Sequence, residues 1–141
     1  MVTAERIEKT TLKNLLHNED YTRKVLPFLK SEYFDDRHER IVFTEIRKFI
    51  DQYNKRPTKE TLQIDLGKRK DLNEDEFKKI VDLISTLNKE EIDLDWLVNT
   101  TEKFCKDRAI HNAVMNGIHI LDGKDNKQTP EAIPEILRDA L

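Results

Sequence analysis

The side chains in this chain that could do chemistry are four histidines, one cysteine and a few pairs of neighbouring acids. A loop that cradles phosphate needs two glycines five positions apart, followed by Lys and then Ser or Thr. Gly67-Lys68 has Leu62 where the first glycine belongs, and Gly123-Lys124 has Ile118 there and Asp125 after it. A nucleotide loop of this type is therefore missing. His17 and His38 fall on different elements, and His111 and His119 stand too far apart to share a metal across one helical turn. His111 reads as a partly buried packing residue. Cys105 could serve as a nucleophile only with a base and a positive environment beside it, and it reads instead as a small apolar helix residue. Asp35-Asp36 and the Asp93/Asp95 pair lie beside helix starts, where capping accounts for them. No catalytic, metal or cofactor site is expected in these residues.

The elements that would position any site are helical. The sequence is 37% hydrophobic and 38% charged with only 3 Gly and 4 Pro, and no run alternates apolar and polar residues between turn signals, so the expected class is all-α. At 141 residues the chain can bury a core without staples. A lone cysteine excludes an internal disulfide, and neither a signal peptide nor a bilayer-length apolar run is visible. These features lead to the expectation of a soluble, cytoplasmic protein with no membrane partner. Charge is unevenly shared: residues 1–70 hold 16 basic against 12 acidic side chains, residues 71–141 hold 9 against 16. A dedicated DNA-binding module would be basic throughout. The division fits solvated helix faces, and it also fits packing of copies head to tail.

Along the chain, a first helix runs from a cap at Thr3 to about His17, with Ile7, Leu12, Leu15 and Leu16 facing inward. A second spans about Asp20 to Leu29 and is distorted by Pro27. Tyr33 and Phe34 plug the core from a connecting stretch. A third helix from about Asp36 presents Ile41, Val42, Phe43, Ile46, Phe49, Ile50 and Tyr53, with Arg37, Arg40, Arg47 and Lys48 as solvated charge. Arg56-Pro57 breaks it. Thr58 caps a short helix that ends at Gly67, and Asn73 with Glu76 opens the next, which buries Phe77, Ile80, Val81, Ile84 and Leu87.

The longest helical pattern runs from Asp95 to Leu121. One apolar stripe holds Leu97, Phe104, Met115 and Ile118, its gaps filled by Thr101, Arg108 and His111; another holds Ile110, Val114, Gly117 and Leu121. Two stripes need two partners, of which the preceding body supplies one. The other is a returning helix or a second copy. Trp96 either locks the foot of this helix onto the body or anchors an interface, and Arg108 suits a polar contact between helices. A breaker-rich turn at Asp122–Asn126 precedes a last helix opened by Thr129-Pro130-Glu131, with Ile133, Ile136, Leu137 and Leu141 on its apolar side. The expected organisation is a helical body over 1–90 and a helical hairpin over 91–141. Leu141 interrupts that pattern without a stop signal, so the sequence reads as the front of a longer protein.

Several strings, in order, resemble the N-terminal domain of DnaB-type hexameric replicative DNA helicases, especially the form found in large tailed phages. They are Ser31-Glu32-Tyr33-Phe34, Phe43-Thr44-Glu45-Ile46 and Arg56-Pro57-Thr58 leading to Thr61-Leu62. Further on come Asp95-Trp96-Leu97-Val98, Thr101-Glu102-Lys103-Phe104, Asp107-Arg108-Ala109, and the closing run from Ala132 to Leu141. Thr10-Thr11-Leu12-Lys13 departs from the family, whose first helix is commonly more apolar and often carries a glycine there. The resemblance implies a compact helical body with a protruding hairpin, hairpins that pair, and dimers that close into a hexameric collar. It also implies a primase-docking surface, a helicase loader as further partner, and DNA encircled by the ring. The ATPase motor, with its ATP and Mg, would lie beyond residue 141.

The expectation is thus a non-enzymatic assembly domain that binds DNA weakly at most. Its self-association stripe is Phe104, Arg108, His111, Met115 and Ile118, supported by Ile133, Ile136 and Leu137. The rival expectation is a free-standing helical adaptor or regulator of replication or transcription, with no motor.

Overall fold

A computed structural model describes residues 4–141, with side chains from Arg6 onward. The expected cap at Thr3 lies outside the described residues. Seven α-helices and three short 3-10 turns follow one another, and no strand occurs among the described residues. The helices are α1 (Ala4–His17), α2 (Glu19–Val25), α3 (Arg37–Tyr53), α4 (Lys59–Gly67), α5 (Glu74–Ser85), α6 (Leu94–Leu121) and α7 (Ile133–Ala140). The chain forms two compact units, Met1–Thr101 and Glu102–Leu141, so the division runs through α6 itself.

Most helix starts in the first unit are set by one side chain each. Asn18 accepts from the Tyr21 amide, Asp36 from Glu39, Asn73 from Glu76, and Thr58 and Thr61 cap each other reciprocally. Asp93 Oδ2 accepts from the Trp96 amide at 2.9 Å and opens α6. One acid of each pair is a cap, Asp36 for α3 and Asp93 for α6, and no cluster of three or more metal-ligating side chains occurs among the described residues.

Inside this unit, α3 packs against α1, α4 and α5, and α1 also packs against α2. Leu12, Leu15, Tyr21, Val25, Phe34, Phe43, Ile46, Leu62, Leu66, Ile80 and Ile84 are fully enclosed. Each such aliphatic or aromatic side chain stabilises the fold by roughly 1.5 to 3 kcal/mol relative to leaving it in water. Tyr33 and Phe34 are buried, and the Phe34 ring stacks on Phe43 at 5.0 Å. The foot of α6 joins the same core: Leu97 and Thr101 are enclosed, and the Thr101 hydroxyl meets the Tyr21 hydroxyl at 2.7 Å.

Several expectations are corrected. Arg40 and Arg47 are half-buried connectors, not free charge. Arg40 Nη1 donates to the carbonyls of Phe34 and Asp35, and Arg47 Nη1 to those of Leu26 and Leu29 at 3.1 and 3.0 Å. Arg56 Nη1 reaches the Leu16 carbonyl at the end of α1. Each arginine donates to carbonyls at a helix end or connector, where backbone acceptors are left without a full helical ladder. Pro57 does not stop α3. Asn54 does, in the left-handed conformation at φ 54°, three residues earlier. Gly67 ends α4 without a left-handed turn, and a Cβ there would touch the Phe77 ring at 3.6 Å. Trp96 does not lock the foot of α6 into the core, since it remains 47% exposed.

Candidate self-association surface

The second unit holds the distal part of α6, a turn and α7. Residues that recur every three or four positions share one side of a helix. On the inner side of distal α6 these are Ala113, Gly117 and Ile120, all buried. Gly117 matters because Ile133 lies over it: a Cβ at that position would meet Ile133 Cγ2 at 3.6 Å. The start of α7 therefore rests on the last turns of α6.

The chain reverses by a terminator that glycine makes possible. The Lys124 amide donates to the His119 carbonyl at 2.9 Å and the Gly123 amide to that of Ile120 at 3.1 Å, with Gly123 left-handed at φ 73°. Asp125 Oδ1 then accepts from the amides of Lys127 and Gln128. Thr129 makes no side-chain cap. Its hydroxyl instead bonds the Glu131 carboxylate, which lowers the pKa of that acid, and one 3-10 turn, Pro130–Ala132, precedes α7.

This arrangement covers only the narrow inner side of distal α6. Ile110, Val114, Met115, Ile118 and Leu121 remain between 38 and 68% exposed. At 100° per residue they form one flank, in which the outer members of both predicted stripes merge. Of the covered face, only Gly117 belongs to a stripe expected from the sequence; Ala113 and Ile120 belong to neither. The missing side chain at Gly117 lets α7 approach closely.

The residues singled out in the sequence sort as follows. Met115 and Ile118 lie on the flank, and His111 beside them is exposed, so it is not the packing residue its surroundings suggested. Phe104 is only 8% exposed and already enclosed by its own chain. Arg108 is half-buried and interacts within the chain. On α7, Ile133 and Ile136 are half-buried and Leu137 is exposed. Cys105 is buried. Desolvation first, and the nearby Glu102 carboxylate second, push its thiol pKa up to about 12, so it is no nucleophile at neutral pH. No described helix is long and apolar enough to cross a membrane.

A surface of this kind binds by burying apolar area; it offers no set of groups aimed at a reacting atom. Comparison with known proteins gives it a context. Residues 2–93 match the family described as the DnaB-like helicase N terminal domain. Over 138 residues the chain is 33% identical to a DnaB-like replicative helicase of Enterobacteria phage T4, an alignment that takes in 92% of this chain and 29% of that protein. The chain thus spans under a third of the length of that relative. With well over half of its residues matched by the profile and an all-α fold, the chain belongs to the DnaB-like helicase N-terminal domain family.

Proposed function

We propose that this chain is the assembly domain of an ATP-dependent replicative DNA helicase, and that copies pair through the outer flank of α6. The observation that carries the reading is the run of exposed aliphatic side chains from Ile110 to Leu121 on one flank of distal α6. Grouped apolar surface of that kind marks an interaction site, whereas scattered apolar residues do not. Met115, Ile118 and His111 form the centre of the contact, with Ile110 and Val114 beside them and Leu137 contributed from α7. Phe104 and Arg108, with Ile133 and Ile136, support it from below. The pairing is isologous, the same patch meeting itself. Such pairs, joined through a second contact, close into a hexameric ring.

In this reading ATP and Mg belong to the motor segment of the longer polypeptide, the ring encircles DNA, and the collar offers primase and the helicase loader a place to dock. The test uses the full-length helicase carrying Met115→Glu and Ile118→Asp together. The expected result is loss of the hexamer and of strand unwinding, while the subunits still bind ATP. A hexamer that unwinds DNA at the unmodified rate would overturn the reading.

A further inference from the structure

Two features of the first unit lie outside the α6 flank and complement each other. The first is a pair of adjoining clefts along the outer side of α3. One, of about 670 Å3, lies between α2 with its following turn and the C-terminal end of α3; the other, of about 720 Å3, continues along Lys30, Ser31, Thr44 and Lys48. Pro27, Arg47 and Asp51 line both, so the two form one groove. Its floor is apolar, with Leu26, Pro27 and Ile50, and its rim is cationic, with Arg23, Lys30, Lys48 and Lys55. Of its six basic side chains, Arg23 pairs with Glu19 at 2.8 Å and Arg47 and Arg56 hold backbone carbonyls, while Lys30, Lys48 and Lys55 are exposed; Asp51 is the other acid of the lining. Phe43, the one aromatic ring in its lining, is enclosed, so no aromatic ring there is free to stack on a nucleic-acid base.

The second feature is Trp96, the single tryptophan of the chain, 47% exposed at the start of α6. The residues before it are Glu90, Glu91, Ile92, Asp93, Leu94 and Asp95, of which Glu91, Asp93 and Asp95 are exposed. Lys13 and Asn14 of α1 hold Glu90 at 3.5 and 3.4 Å, so the acidic stretch is anchored to the body. An indole in water, framed by carboxylates, has the chemistry of an interface anchor. The groove supplies an apolar floor for the ring and ammonium and guanidinium groups for the acids.

We infer that the Trp96 segment of one copy docks in the α2–α3 groove of a second copy. This contact joins two different patches and so propagates head to tail, unlike the like-to-like pairing of α6 flanks. Alternating the two kinds of contact closes a ring. The inference presupposes the assembly proposed above, but it rests on separate residues and on charge, so salt distinguishes the two.

Because Trp96 is the sole tryptophan, the chain's tryptophan fluorescence reports the surroundings of this segment. As the intact chain is concentrated at low salt, the emission is expected to move to shorter wavelength and to return at high salt. Lys48→Glu with Lys55→Glu should abolish the shift, as should Glu91→Lys with Asp95→Lys. Mixing the two double variants should restore it, because each then meets an oppositely charged partner; that recovery also shows that both variants are folded. Emission that stays constant while the chain associates overturns this contact and leaves the flank pairing standing. A shift that survives charge reversal overturns the groove as its seat. A chain that stays monomeric throughout overturns both.

Discussion

Among single residues, burial rather than residue type decides what each can do. Cys105 is the most nucleophilic side chain in the composition, yet enclosure within the folded chain keeps it from reacting. Its pKa rises from 9.0 to about 12 on folding. Below pH 9 the thiol is protonated whether the chain is folded or not, and its contribution to stability is fully present. Between about pH 9 and about pH 12 the unfolded chain ionises while the folded one does not, so stability falls as pH rises through that window. Denaturant midpoints measured from pH 8 upward should decline in the native protein, and Cys105→Ala should lack that part of the decline. A thiol reagent at pH 8 should label the native chain only as fast as it opens; labelling as quick as that of the unfolded chain would contradict the burial of Cys105.

At the level of elements, the long helix is held differently along its length. Its foot is tied to the first unit by Leu97 and by the hydroxyl pair Tyr21–Thr101, enclosed at 2.7 Å. Removing one member of a buried pair leaves the other without its partner, at a cost of about 1 to 3 kcal/mol. Tyr21→Phe should therefore lower stability by about that amount in denaturant titration, while Tyr21→Phe combined with Thr101→Val should lose less than the sum of the two single changes. Strict additivity would show that the two hydroxyls are uncoupled. Distal α6 depends on a narrow seam of small residues under α7 and on the left-handed turn at Gly123. Its outer flank, from Ile110 to Leu121, stays exposed.

For the whole molecule, most of the helical order could be read from the sequence, for identifiable reasons. Caps such as Asp36, Thr58 and Asn73 act on amides three residues away, and the apolar faces of α1, α3 and α5 repeat at the helical period. What could not be read depends on contacts distant along the chain. Arg56 bonds a carbonyl 40 residues away, and Arg47 holds two carbonyls of a separate connector; composition alone makes both look like solvated charge. The flank of α6 was visible as apolar residues at helical spacing. Which of them the chain covers was not, because Ala113 and Gly117 gave no sign that α7 would settle on them.

We propose above all that the exposed flank of α6 is a surface on which copies meet. The most direct test is the solution mass of this chain by light scattering across a concentration series, beside Met115→Glu. The wild type should rise from one chain to two and beyond as concentration increases, and the variant should remain at one chain, with the same helix content, over at least about a tenfold wider range, corresponding to about 1.4 kcal/mol lost from the contact. A wild type that keeps the mass of a single chain throughout, or a variant that associates as readily as the wild type, would contradict it.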